Sequence, residues 1–130
     1  MIQPALALLA AGCAEELGPE TFRTTNVHGS ILEGGRIVVR GWIEFHPFGG
    51  TVGSIRVAPI RADGSYEATG VAVGRNIIQV DQAATDANGN ARPFREPLCA
   101  REIPDGPSTT LNLDILEEKI RQDQARARQR

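Results

Sequence analysis

Between residues 24 and 114 apolar and polar positions alternate in short runs, and nowhere do apolar residues recur at a helical spacing. The runs are "NVHGSIL" (26–32), "RIVVRGWIEFHPF" (36–48), "SIRVAPIRA" (54–62), "YEATGV" (66–71), "RNIIQV" (75–80) and "STTLNLDI" (108–115). Each is bounded by turn residues: "EGG", "GGTVG" and "DGS", with Gly70 and Gly74 bracketing a short link. Period two places alternate side chains on opposite faces of a strand. Residues 36–48 therefore put Ile43 and Phe45 on one face and Trp42, Glu44 and His46 on the other. Residues 54–62 and 66–71 are predicted to pair as an antiparallel hairpin across Asp63-Gly64. The stretch 82–107 is long for a link in a compact domain, and is predicted to be a loop or to hide one more strand near 97–103. Short strands at this spacing, without intervening helices, predict an all-β fold: an antiparallel β-sandwich of about seven strands.

Only the C-terminal end changes period. In "DILEEKIRQDQARARQR", Asp114 is placed to cap a helix, and Glu117 and Glu118 fall in its first turn, where the helix dipole favours acids. Ile115, Leu116 and Ile120 form its apolar patch, so the helix is predicted to dock by its first turns and fray beyond them. Residues 117–130 hold five basic and three acidic side chains, whereas the whole chain of 130 residues has a net charge of −2. That balance gives no electrostatic reason to expect nucleic acid. The basic excess belongs to a helical tail over 116–130, which reads as solvated rather than as a surface for polyanions.

The stretch "ADGSYEATGVAVGRNIIQV" (62–80) resembles the signature of carboxypeptidase-regulatory-like, or transthyretin-like, domains. Asp63, Gly64 and Tyr66 match its turn and aromatic; Gly74, Ile78 and Val80 match its second half, with Asn76 where the family has Tyr. Upstream, "VHGSILEGG" and "GWIEFHPF" are similar to its first strand, turn and Val-x-Phe-x-Pro strand, so the resemblance covers about 25–81. It implies a transthyretin-like or immunoglobulin-like sandwich that is non-catalytic and serves as an accessory module.

At the N-terminus, residues 1–12 are uncharged and mostly apolar, and Ala11-Gly12 stand directly before Cys13, with Glu15 and Glu16 after it. The run is too short to span a bilayer and has the size of a secretory signal's apolar region. It resembles a bacterial lipobox, in which Cys13 would be acylated. Residues 14–25 would then be a flexible polar tether and 26–115 the folded domain. That predicts an exported protein, lipid-anchored to the membrane at the cell envelope, with an envelope protein or polysaccharide as partner. The other reading is a buried N-terminal helix with an ordinary core Cys13, which would allow a Cys13–Cys99 disulfide in an exported chain.

Candidate chemistry is sparse. No Gly-x-Ser-x-Gly, phosphate loop or Cys–His couple is present, so neither an enzyme nor a cofactor is expected. His28 and His46 are too few for a metal site unless carboxylates join them. Asp86, Asn88 and Asn90 alternate as in calcium loops, but Gly89 is misplaced and no bidentate acid follows, so a turn explains them better. The remaining cluster is Trp42, Glu44 and His46. It is either a stacking platform for sugars or a face covered by the C-terminal helix, with Trp42 buried against Ile115 and Ile120; the second is preferred.

Overall fold

A computed structural model describes residues 22–82 and 97–130, so the lipobox, Cys13 and the Asp86–Asn90 stretch lie outside the described residues. Among the described residues the fold is mostly β, with two sheets and one C-terminal helix. The first sheet is built around β1 (Thr24–Glu33), which pairs antiparallel with β2 (Arg36–Ile37) and β5 (Ser65–Ala72). On its other side β1 runs parallel to β8 (Ser108–Thr110) and β9 (Leu113–Asp114). The second sheet has the order β4 (Arg56–Pro59), β3 (Trp42–Pro47), β6 (Gly74–Asp81), β7 (Cys99–Ile103), all antiparallel. The helix α1 spans Ile115–Arg128.

Nine strands stand among the described residues where about seven were expected, because two predicted runs break. The run 36–48 divides into β2 and β3 at Gly41, whose φ is 113°. A Cβ there would lie 2.1 Å from the Asp81 carbonyl oxygen, so only glycine lets the chain pass that close. The run 108–115 divides into β8, β9 and the first residue of α1. The strand suspected near 97–103 is present as β7. The expectation of purely antiparallel pairing fails at β8 and β9. Both arrive beside β1 from β7 in the other sheet, and that crossing sets them parallel to it.

The predicted hairpin is also corrected. The turn at Asp63-Gly64 forms: Gly64 N–H donates to the Arg61 carbonyl at 2.9 Å, and the Asp63 carboxylate accepts from Ser65 N–H at 3.0 Å. The Ser65 hydroxyl and N–H hold the Asp63 carboxyl below its ordinary range. Yet β4 pairs with β3 and β5 with β1, so the turn carries the chain from one sheet to the other. Burial explains the choice. Ala58 and Ile60 before the turn, and Tyr66 and Ala68 after it, all enter one core, and an arch lets them enter from two sides.

That core takes residues from both sheets, including Val27, Ile31, Tyr66 and Val71 from the first and Ile43, Phe45 and Ile78 from the second. The rings of Phe45 and Tyr66 meet across it at 6.3 Å between centroids, within the range of favourable aromatic pairs. Tyr66 Oη donates to the Leu111 carbonyl at 2.6 Å, and burial pushes its hydroxyl pKa well above the ordinary value. Asn76 is fully buried and donates to the carbonyls of Ala72 (2.8 Å) and Gly74 (3.2 Å), tying the crossing from β5 to β6.

In α1 the expected apolar patch contributes only Ile115 to the core, while Leu116 and Ile120 remain about half exposed. The helix extends to Arg128, beyond Ile120. Polar contacts hold its middle: Glu118 pairs with Arg101 of β7, and the Gln122 amide donates to the Pro97 and Leu98 carbonyls. Gln, Ala and Arg beyond that point are good helix formers.

Candidate functional site

The outer face of β3 is where sequence placed the candidate residues, and alternation does set Trp42, Glu44 and His46 opposite the buried Ile43 and Phe45. They do not form one accessible group. Trp42 is 47% exposed, but Glu44 is 9% exposed, and the His46 side chain is partly covered. Glu44 Oε1 lies 4.0 Å from His46 Nε2, an ion pair only when the imidazole is protonated. His46 Nε2 is buried and has no hydrogen-bond partner among the described residues. The pair is thus a covered feature beside an exposed tryptophan.

The expected cover for Trp42 is absent among the described residues. α1 starts beside β1 and β9, where Asp114 fixes its first turn, and its polar contacts go to β7 and the residues just before it, leaving Trp42 uncovered. Ile115 packs in the core and Ile120 is exposed; neither buries Trp42. Its cross-strand neighbours are Pro59 on β4 and Asp81 on β6. One step along, Glu44 is opposite Val57, which is half exposed, as is Ile55 just before β4. The surroundings of Trp42 on the β4 side are therefore apolar, and β4 is the sheet edge.

Elsewhere the chemistry is sparse too. His28 lies on the first sheet with its Nε2 3.0 Å from Thr110 Oγ1, so the two histidines belong to different sheets. No three His, Cys, Asp or Glu side chains among the described residues cluster closely enough to hold a metal ion. Cys99 is a buried free thiol whose pKa burial pushes up to about 11, which makes it a poor nucleophile at neutral pH. No described helix is long and apolar enough to cross a membrane.

Sequence reading missed one cluster. Arg101 and Arg121 both donate to Oε1 of the buried Glu118, the latter at 3.3 Å. Glu118 and Arg121 are three apart on α1 and legible as a pair, but Arg101 arrives from β7. Comparison of the chain with protein-family models, with curated proteins and with solved structures finds no match.

Proposed function

We propose that this chain is a non-catalytic, transthyretin-like β-sandwich module held at the cell envelope by a lipid on Cys13, and that it binds another envelope protein through the outer face of β3 and β4. The observation that carries this reading is a set of exposed apolar side chains on the β4 side of the second sheet: Trp42 on β3, Val57 on the edge strand β4 and Ile55 just before it, between 47% and 56% exposed. Exposed apolar side chains grouped at one place mark interaction surfaces more often than singly scattered ones. Tryptophan is among the residues enriched at protein-binding hot spots. The interaction is tested with a photo-crosslinking residue at Val57 in intact cells. A discrete adduct lost on Trp42→Ala is expected. An identical pattern from a crosslinker at Thr69, exposed on the other sheet, would reject it.

A second reading, glycan binding, rests on the exposure of Trp42, the chain's one tryptophan. A free indole face can stack on a sugar ring. Glu44 is too covered to supply the flanking hydrogen bonds, which ranks this reading second. Indole fluorescence reports only on Trp42, so a response to soluble polysaccharide would favour it and silence across a panel would remove it.

A further inference from the structure

Beyond Glu118, α1 turns a thin inner face toward the second sheet. Ala125 is small, and no residue after Glu118 is buried. Beneath it, Ile77 of β6, Ala100 of β7 and Phe48, just past the end of β3, leave an open cleft of about 430 Å³. This falls in the size range of small-molecule sites. The cleft is mostly apolar, and Arg101, Glu118 and Arg121 together bring charge to its lining. Two guanidinium groups there share one carboxylate oxygen, which leaves a net charge of +1. The Arg121 side chain is 62% exposed, and only one of its nitrogens bonds to Glu118. The rest of its planar donor fork has no partner among the described residues and suits a second carboxylate.

We propose that this cleft binds a small amphiphilic monocarboxylate, its carboxylate on Arg121 beside Arg101 and its apolar body along Phe48, Ile77, Ala100 and Ala125. Charge selects the class. One negative charge balances the two arginines and Glu118, a dianion would be repelled by Glu118, and a neutral molecule would leave the excess cation unmatched. An apolar body is required because the walls away from the arginines offer little to hydrogen-bond. The cleft lies away from Trp42, which begins β3, whereas Phe48 follows its last residue, Pro47.

The test is calorimetric titration of the full chain with decanoate, with decanol as the neutral control. Saturable binding of decanoate at one site is expected, with decanol at least tenfold weaker. Arg121→Gln should weaken decanoate at least tenfold. Ala125→Phe, at an exposed helix position where the core is not disturbed, should fill the cleft and abolish binding while circular dichroism stays unchanged. Trp42→Ala should bind as wild type. Absence of saturable binding up to millimolar decanoate, equal affinity for decanol, undiminished binding by Ala125→Phe, or loss in Trp42→Ala would each overturn the proposal.

Discussion

The Asp114 carboxylate accepts the backbone N–H of Gly34 at 3.0 Å, which joins the N-terminus of α1 to the turn between β1 and β2 across 80 residues of sequence. The same carboxylate accepts from Gly35 at 2.9 Å and from Leu116 and Glu117 at 3.0 and 3.2 Å. One side chain thus caps the helix and closes the turn. These bonds, from Gly34 and Gly35 first, hold its carboxyl below the ordinary 3.8.

Asp114→Asn keeps a capping oxygen but replaces the one that accepts from Gly35 with an N–H₂ donor. The variant should melt below wild type at neutral pH. Because the folded pKa is lowered, the wild-type advantage is complete above pH 3.8 and lost as pH falls through the folded value. Melting temperatures measured from neutral pH into acid should therefore converge. A gap that stays constant with pH would contradict this.

Tyr66→Phe removes the hydroxyl that bonds to Leu111 while keeping the ring against Phe45. It should cost about 1–2 kcal/mol in denaturant unfolding near neutral pH, because the partly buried Leu111 carbonyl loses its donor. The raised folded pKa gives alkaline behaviour of the opposite sense to Asp114. Stability from the neutral phenol is complete below pH 10 and lost as pH rises beyond it. Wild type should lose stability in that range faster than the Phe variant. As Tyr66 is the chain's one tyrosine, its ultraviolet absorbance should show ionisation delayed until unfolding.

Gly29→Ala probes the same junction from β1. Its Cβ would stand 2.0 Å from the Leu111 carbonyl oxygen, which is backbone and cannot swing aside. The expected loss is about 1–3 kcal/mol, the scale of overpacking. Gly29 pairs with Tyr66 in the sheet, and the added Cβ and the Tyr66 hydroxyl both meet the Leu111 carbonyl, so the double variant with Tyr66→Phe should lose less than the two single losses together. Simple additivity in urea titrations would show that the Leu111 carbonyl is not shared.

Cys13→Ala tests the envelope reading. Wild-type protein should label with a palmitate analogue and partition into detergent, because acyl chains contribute about 0.8 kcal/mol per buried methylene. The variant should stay in the aqueous phase. Equal partitioning of the two, with Met1 retained by mass, would remove the lipid anchor from the proposal.

The stretches that form strands were legible in the chain because alternation is a local property. Ile43 and Phe45 went to the core, and Trp42 to the outer face, on period two alone. The cap at Asp114 was legible for the same reason, since the N–H donors it accepts from, Leu116 and Glu117, lie within one turn. Asp63-Gly64 marked a turn but could not say whether β4 and β5 share a sheet, for the dipeptide satisfies a hairpin and an arch alike. Tertiary burial of Ile60 and Tyr66 in one core decided it. The exposure of Trp42 depended on where α1 lies, and that followed from Asp114 reaching Gly34 and Gly35 as well as its own helix. Arg101 beside Glu118 was invisible for a similar reason, because an ion pair between a strand and a helix carries no spacing rule. Side-chain periodicity is written by neighbours in sequence, whereas strand partners, covered faces and clefts are settled by which distant surfaces exclude water from one another.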